Sequence, residues 1–316
     1  MIKRIEKLRA LMKKEIIDAY LVTSPANLRY LTNFTGTAGL ALITLEKAFF
    51  ITDFRYTEQA SEQVQGMTII QQQGNIVDEI IKLMESEGIN VLGFEDASMT
   101  YAEYSIFEEV IDAELAPASG MIEKLREQKD DGEIAIIEKA CAIADEGFEH
   151  VLKMIRQGMT EIVASGVRSA LPHGVASEKM IEQGDLITLD FGCVYQGYVS
   201  DITRTFAIGD PGQQLKEIYQ IVLEAQLKVI EVAQAGVTGA QLDGVARDFI
   251  TEAGYGEAFG HSTGHGIGME IHEGPNISRS NDKPLNVGNI ITDEPGIYLA
   301  GLGGVRIEDD LVILAE

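Results

Sequence analysis

Hydrophobic and polar positions change their pattern about a third of the way along the chain. In the first part, residues 1–119, short apolar runs alternate with helical periodicity such as that at 76–87. The apolar runs are residues 19–23, 39–44, 48–52 and 90–94. Runs of this length predict buried strands, and their alternation with helices predicts an α/β domain. The stretch 44–47 between two of the runs predicts a hairpin turn.

The second part, residues 120–316, has a different pattern. Apolar residues at spacings of three and four predict one long helix over 121–157. From residue 186 onward, short strand patterns and glycine-rich turns predominate, interrupted by helical patterns at 213–235 and 239–253. The pattern predicts an antiparallel α+β domain. A chain of 316 residues also exceeds what one core usually organises, so we predict two domains, 1–119 and 120–316.

Composition and charge narrow the classes of partner. The formal net charge of -25 argues against nucleic acid as a partner, because nucleic-acid affinity depends on Lys and Arg. Cys141 and Cys193 form no CxxC pair or disulfide framework, which is typical of a reducing compartment. The sequence contains no signal-peptide pattern and no apolar stretch of about 18 residues. We therefore predict a soluble, cytoplasmic protein that does not bind membranes.

Residues 187–206 contain two strand patterns on either side of Tyr195, Gln196 and Gly197. A hairpin turn centred between Tyr195 and Gln196 would place Asp190 opposite Asp201. Directly opposed side chains have Cβ atoms about 4.5–5.5 Å apart, and like charges at that distance destabilise the pair. A cation between the two carboxylates is therefore expected.

A second hairpin is predicted where strand patterns at 289–298 and 305–313 flank the glycine-rich stretch 299–304. A turn centred on Gly301 would place Glu294 opposite Glu308. One such pair alone is more often an ordinary turn-flanking or surface pair. Two independent pairs together favour a cation site.

Histidines cluster in one glycine-rich segment, residues 260–273. His261, His265 and His272 lie there, out of only five histidines in the chain. A phosphate-binding loop is excluded, since no Lys follows the glycines and no βαβ pattern surrounds them. Four carboxylates and an imidazole suit Mn²⁺, Fe²⁺ or Co²⁺ better than a thiolate-lined structural zinc site does. Two divalent ions would balance four carboxylates and activate a shared water, which predicts a hydrolase.

These residues resemble the creatinase, prolidase and methionine aminopeptidase superfamily, and specifically the Xaa-Pro peptidases, prolidase and aminopeptidase P. The resemblance covers nearly the whole chain. The similar segments are residues 30–34 and 52–59 in the first domain, and 162–176, 188–206, 261–275 and 294–310 in the second. The resemblance implies a creatinase/prolidase-like α/β N-terminal domain followed by a pita-bread catalytic domain, in which helices pack on an antiparallel sheet.

The resemblance also implies roles for individual residues. Asp190 would chelate one metal ion, Asp201 and Glu308 would bridge both, and His265 with Glu294 would hold the other. Glu294 would also be the general base for the bridging water. The remaining implied roles are contact with the substrate carbonyl by His173 and His272, a position on the proline side for His261, and ion pairing that supports the site for Arg306. Tyr298 is expected to pack rather than to react.

The function implied is hydrolysis of the Xaa-Pro bond in dipeptides or short peptides, with two metal ions, Mn²⁺ first and Co²⁺, Fe²⁺ or Zn²⁺ as alternatives. The main alternative is an aminopeptidase P that removes the first residue from longer Xaa-Pro peptides. Metal-free creatine hydrolysis and a non-catalytic binding role are disfavoured, because members with those roles lack metal ligands and all five are present here. A homodimer is expected from the family.

The chain departs from the family pattern in two places. Between Glu161 and Ile162, relatives carry a further helix and loop of roughly two dozen residues that are absent here. Asp293 occupies a position that is usually apolar in relatives, directly before Glu294. Strand alternation predicts that Asp293 points away from the metal site.

Overall fold

The computed structural model describes residues 2–160, 164–172 and 174–315. The chain divides into two compact units, Met1–Arg126 and Glu127–Glu316. This division by contacts lies one short helix beyond the boundary predicted at residue 119. The assignment of domains at 1–119 and 120–316 stays a prediction.

The first unit is an α/β domain around one six-stranded sheet. Its elements are α1 (Ile2–Lys14), β1 (Ala19–Val22), α2 (Pro25–Thr32), β2 (Leu40–Thr44), β3 (Ala48–Thr52), α3 (Thr57–Gln63), β4 (Thr68–Gln71), α4 (Ile76–Glu87), β5 (Val91–Phe94), α5 (Tyr101–Val110), β6 (Glu114–Pro117) and α6 (Met121–Glu127). The strand order is β4-β3-β2-β1-β5-β6. The pairs β1/β2 and β2/β3 are antiparallel, and the other pairs are parallel.

The predicted strands and the predicted helix of the first part are confirmed. Strands β1, β2 and β3 are buried at every position, as expected of short continuous apolar runs. The predicted hairpin turn joins β2 to β3, where the amide of Thr44 donates to the carbonyl oxygen of Lys47. The sequence pattern was sufficient to locate these strands because polar residues lie close to both ends of each apolar run.

The second unit contains helices and antiparallel strands. Its elements are α7 (Asp131–Met154), β7 (Ala164–Ser165), a 3-10 helix (Gly166–Ala170), β8 (Leu186–Phe191), β9 (Val194–Tyr195), β10 (Tyr198–Val199), β11 (Ile202–Ala207), α8 (Gln213–Val232), α9 (Gly239–Glu252), a second 3-10 helix (Gly256–Ala258), β12 (Gly264–Gly266), β13 (Glu273–Ile277), β14 (Ile290–Asp293), β15 (Gly296–Leu299), β16 (Gly303–Arg306) and β17 (Asp309–Val312). All described strand pairs in this unit are antiparallel. The predicted α+β class is confirmed.

The prediction of one long helix over 121–157 is wrong, because two helices occupy this stretch. Asp130 caps the N-terminus of α7, where its side chain accepts from the amide of Glu133 while the Glu133 side chain accepts from the amide of Asp130. This capping box starts a new helix and separates α7 from α6. The apolar spacing alone did not reveal the interruption.

The core of the second unit lies between helices α8 and α9 and the antiparallel strands. Buried residues of both helices, among them Val222 and Ala246, pack with Ile291 and Val305 of the strands. The two predicted helices at 213–235 and 239–253 are confirmed to within three residues at their ends. In the stretches that the structure describes, each helix is too short or too polar to pass through a lipid bilayer.

Candidate metal centre

The first hairpin places Asp190 and Asp201 on one face but not directly opposite each other. Asp190 pairs with Thr203, in a register that also pairs Tyr195 with Tyr198. The prediction that Asp190 lies opposite Asp201 is therefore wrong by two residues. The turn is centred between Gln196 and Gly197, both with positive φ, as two-residue hairpin turns require.

A register shift of two residues keeps each side chain on its original face of the sheet. Asp201 is consequently a diagonal neighbour of Asp190, a relation with a typical separation of about 7–8 Å. The diagonal position leaves more room between the carboxylates than the predicted pairing, and both still line one cavity.

The second hairpin has the predicted register. Gly296 pairs with Arg306 and Asp293 pairs with Asp309, so Glu294 lies opposite Glu308 between them. The turn is centred on Gly301, whose φ of 78° is in the left-handed region that favours glycine.

The predicted site residues meet at one cavity of about 710 Å³. Eight of them line it: Asp190, Asp201, His261, His265, His272, Glu294, Arg306 and Glu308. The ninth, His173, lies outside the described residues. Residues from three separate segments of sequence, 187–206, 260–273 and 289–313, thus surround the same space.

Three of the five predicted metal ligands are already close enough to share one ion. One ligand atom each from Asp201, His265 and Glu308 lies within 4.8 Å of the others. Nε2 of His265 is also 3.4 Å from Oε1 of Glu294. These donors, three carboxylates and an imidazole, fit a divalent cation by their chemistry and by their separation.

Asp190 has a different partner in this structure. Its carboxylate accepts from Nη2 of Arg306. The Arg306 side chain is only 5% exposed, whereas that of Asp190 is 41% exposed. Arg306 therefore neutralises Asp190 directly, which agrees with the ion-pairing role expected of this arginine, while the ligand role of Asp190 stays a prediction.

His265 is prepared to act as a neutral ligand. Its Nδ1 lies 3.0 Å from the carbonyl oxygen of Gly266. A carbonyl oxygen can only accept, so Nδ1 carries the proton and Nε2 presents a lone pair toward Glu294 and Asp201. Burial lowers the pKa of His265, which further favours the neutral imidazole.

The glycines around His265 allow its strand to approach its neighbours closely. A Cβ on Gly264 would lie 2.0 Å from the carbonyl oxygen of Thr292, and one on Gly266 would lie 2.1 Å from that of Gly274. Neither separation is sterically possible for a side chain. Glycine on both sides of His265 is therefore required for the imidazole to lie between the strands.

Three of the carboxylates that surround the cavity, Asp201, Glu294 and Glu308, are crowded and shielded from water. Burial, reinforced by Asp190 and other acidic neighbours, raises the pKa of Asp201 to about 7. Burial likewise raises the pKa of Glu294 to about 7, and it raises the pKa of Glu308 well above its ordinary value. Such a group of acids favours either protons or a bound cation.

These pKa shifts predict how the stability of the metal-free protein depends on pH. Asp201 and Glu294 have pKa values near 4 when unfolded and about 7 when folded, so the folded state binds more protons between these values. The free energy of unfolding should therefore fall as pH rises from about 4 through 7.

The lowered pKa of His265 has the opposite effect, because it makes the free energy of unfolding rise with pH below the ordinary histidine value of 6.5. This effect comes from one group, whereas several carboxylates contribute to the fall. Urea unfolding of the metal-free protein at pH 5 and pH 8 measures the net effect, and we expect lower stability at pH 8. The double variant Asp201→Asn, Glu294→Gln should show a weaker dependence. Equal or greater stability of the parent at pH 8 would contradict this account.

Several polar residues that the sequence did not single out also support the site. Oγ1 of Thr203 donates to Oε2 of Glu308 at 2.5 Å, and Oγ1 of Thr292 lies 3.2 Å from Oε1 of Glu294. Asp310 accepts from the backbone amide of Asp201 at 3.0 Å. Thr203 and Thr292 lie two residues from a predicted ligand, so strand alternation would have found them.

Tyr298 does more than pack against its neighbours. Its hydroxyl lies 2.8 Å from Nε2 of His261 and 3.2 Å from Nη1 of Arg306. The expectation of a packing residue is therefore incomplete, because the hydroxyl connects two predicted site residues. The sequence did contain one signal for this role. Tyr298 is four residues from Glu294, and residues an even number apart on a strand lie on the same face.

Asp293 is directed away from the cavity, as strand alternation predicted. Its side chain is fully buried and is not among the cavity-lining residues. Neither carboxylate oxygen has a hydrogen-bond partner within the described part of the chain. Burial, with Asp309 and Glu294 nearby, raises its pKa well above the ordinary value.

Comparison with known proteins agrees with this site. Residues 161–315 match the model of metallopeptidase family M24, and residues 4–128 match the creatinase/prolidase N-terminal domain. An uncharacterized peptidase of Bacillus subtilis (strain 168) is 51% identical over 334 aligned residues, which cover 98% of this chain and 95% of the relative. The alignment is longer than the 316 residues of this chain, so the relative holds residues without a counterpart here.

Solved structures show the same likeness. An Xaa-Pro dipeptidase from Bacillus anthracis is 52% identical, with a TM-score of 0.97, over 99% of this chain and 94% of that one. An X-Pro aminopeptidase from Thermotoga maritima is 40% identical, with a TM-score of 0.89, over 95% of this chain and 93% of that one. The acidic pairs, the buried imidazole and these matches lead to one conclusion: the chain belongs to metallopeptidase family M24 and is a metallopeptidase with a creatinase/prolidase N-terminal domain.

Proposed function

We propose that this enzyme is an Xaa-Pro dipeptidase that uses two divalent metal ions to hydrolyse dipeptides and short peptides with proline in second position. The observation that carries the proposal is the convergence of Asp201, His265 and Glu308 within 4.8 Å, on the wall of a cavity large enough for a short peptide. The likeness to the Bacillus anthracis protein named Xaa-Pro dipeptidase supports the substrate class.

The donor set suggests how the ions would be held. Asp190 would bind one ion, His265 and Glu294 the other, and Asp201 and Glu308 both. We propose Mn²⁺ as the native ion, with Co²⁺, Fe²⁺ or Zn²⁺ as alternatives, because the donors are mainly oxygen atoms. When bound, two such ions supply an activated water and polarise the scissile carbonyl.

The protein's own groups would handle the protons and the substrate. Glu294 is within 3.2 Å of the Thr292 hydroxyl and has a pKa of about 7 in the metal-free site. A carboxylate within hydrogen-bond reach of the activated water could accept its proton and deliver it to the leaving amine. Glu294 is therefore our choice for the general base.

The substrate would be oriented by the histidines around the cavity. His272 lies next to His265, with ring centroids 4.2 Å apart, and we propose that its imidazole contacts the scissile carbonyl. His261 would line the proline side, and His173 remains a predicted contact. Phe191 and Ile271 add apolar surface to the cavity wall, which suits a proline ring.

Aminopeptidase P activity is the alternative, and one observation favours it. Among the cavity-lining residues that the structure describes, the side chain of Arg306 is the single lysine or arginine side chain. Its nitrogen atoms already donate to acceptors on Asp190, Thr203, Pro172 and Tyr298. The carboxylate of a dipeptide lies directly after proline and would meet no uncommitted cation among those residues, whereas a longer peptide carries an uncharged amide there.

A comparison of three substrates separates these activities. We expect Ala-Pro to be cleaved with a kcat/KM about 10- to 100-fold above that of Ala-Pro-Ala or of Ala-Pro with its carboxylate amidated, since a carboxylate directly after proline can accept a hydrogen bond from an uncharged donor, and hydrogen bonds to charged groups contribute about 1.5–3 kcal/mol. The amidated dipeptide is the matched control for charge at constant length. Equal or faster cleavage of the tripeptide and of the amidated dipeptide, which both lack a carboxylate directly after proline, would favour aminopeptidase P.

The expected setting of the enzyme is also a proposal. The family resemblance supports a homodimer in the cytoplasm, with short proline-containing peptides as its substrates. The net charge of -25 makes nucleic acid an unsuitable partner.

A further inference from the structure

Helix α9 carries a buried ion pair that the proposed chemistry does not use. Asp243 and Arg247 are one helical turn apart, and both carboxylate oxygens accept from the guanidinium at 2.7 Å. Asp243 is fully buried and Arg247 is 7% exposed. A buried ion pair is weak evidence of a stabilising role, because its desolvation cost offsets the attraction between the charges.

The pair extends beyond its helix and holds both ends of one loop. Arg247 donates from Nη1 to the carbonyl oxygen of Phe259 at 2.9 Å and from Nη2 to that of His261 at 2.7 Å. Oδ1 of Asp243 accepts from the amide of Thr263 at 3.1 Å and from its hydroxyl at 2.9 Å. The ion pair of Asp243 and Arg247 thus holds the backbone of residues 259–263 in place from one side.

This loop determines the orientation of the His261 imidazole. Nδ1 of His261 lies 2.7 Å from the carbonyl oxygen of Ser262, so it donates a proton there. Nε2 is then the acceptor for the Tyr298 hydroxyl at 2.8 Å. The acceptor of the first bond belongs to the same loop backbone that Asp243 and Arg247 hold.

The guanidinium geometry is specific to arginine. Its Cζ atom lies 4.2 Å from the centroid of the Phe259 ring, while its nitrogen atoms donate to two carbonyl oxygens and one carboxylate. A lysine ammonium at the same place keeps the charge but cannot form this planar fork. Arg279, the other cation near Asp243, is 74% exposed with its Nε 3.9 Å away, so it cannot replace Arg247.

We propose that Asp243 and Arg247 are positioning residues that fix the 259–263 loop and, through it, the orientation and tautomer of His261. The inference rests on the proposed function in one respect, namely that His261 faces the proline side of the substrate. It adds to that function an ion pair on α9, Asp243 and Arg247, which determines how well the cavity accepts proline.

A double-mutant cycle between Arg247→Lys and His261→Ala tests this link, with Ala-Pro as substrate and the Mn²⁺-loaded enzyme. We expect Arg247→Lys alone to lower kcat/KM by about 10- to 100-fold, since small misplacement of a positioning group has effects of this size. In the His261→Ala background the same substitution should lower it by less than about 3-fold, because residues that act through one another are not additive. Equal losses in both backgrounds would overturn the proposal.

A matched control separates positioning from stability. Ile250→Val removes one methyl group from a fully buried side chain on the same helix and leaves the hydrogen-bonding groups of Asp243 and Arg247 unchanged. We expect this variant to unfold more easily than the parent and to keep its kcat/KM. If it loses activity as Arg247→Lys does, the effect belongs to the stability of α9 and the positioning role is wrong.

A second measurement does not depend on hydrolysis. In the metal-free protein, nitrogen NMR of the imidazoles should show His261 as a single neutral tautomer protonated at Nδ1, assigned by its absence from the His261→Ala spectrum among only five histidines. In Arg247→Lys we expect a mixture of tautomers at His261. An unchanged His261 signal would overturn the positioning role, whereas failure of the parent to cleave Ala-Pro would overturn the proposed function and leave the NMR result valid.

Discussion

Asp201→Asn should lower kcat for Ala-Pro by about 10³-fold or more while leaving the fold intact. Asp201 supplies one of the three ligand atoms that lie within 4.8 Å of each other. An amide has the same shape but carries no charge, and its NH₂ group cannot bind a cation. If Asp201 bridges both ions as proposed, its loss removes several kcal/mol of stabilisation from the developing charge, and about 1.4 kcal/mol corresponds to a factor of ten.

The measurement is steady-state turnover with metal content determined on the same sample. Asp210→Asn is the matched control, because Asp210 is 73% exposed and pairs with Lys216 on the surface. We expect the control to keep parental turnover and both variants to retain the parental circular dichroism spectrum. Full turnover in Asp201→Asn would show that Asp201 is not a ligand.

The two hairpins show how far the sequence could locate this residue. The register of the second hairpin followed from a glycine-rich turn with one obvious centre, Gly301. In the first hairpin Gln196 adopts a φ of 49°, a conformation that few side chains other than Asn and Asp favour. The pattern therefore gave the correct face for Asp201 and the wrong cross-strand partner.

Contacts between distant parts of the sequence were the least predictable. Arg247 reaches the carbonyl oxygen of His261, and Asp310 accepts from the amide of Asp201, which is 109 residues away. Periodicity identifies the buried face of α9, but it does not reveal which loop a buried arginine will meet. By contrast, the capping box of Asp130 and Glu133 is local and could have been found in the sequence.

Exhaustive chelation should abolish hydrolysis, and added Mn²⁺ or Co²⁺ should restore it. In the metal-free site, burial raises the pKa values of Asp201 and Glu294 to about 7, so protons compete with cations for these carboxylates near neutral pH. Restoration should therefore need less added metal at pH 8 than at pH 6. The bound ions should also raise the midpoint of thermal unfolding, because a ligand that binds only the folded state stabilises it.

Elemental analysis of the chelated protein makes this experiment decisive. A sample with less than about one ion per hundred chains should retain a correspondingly small fraction of its activity, since activation of the water needs the ions. Asp201→Asn treated in the same way is the matched control, and added metal should restore it far less than the parent. Undiminished cleavage of Ala-Pro by protein verified as metal-free would rule out a metal-dependent reaction at this site.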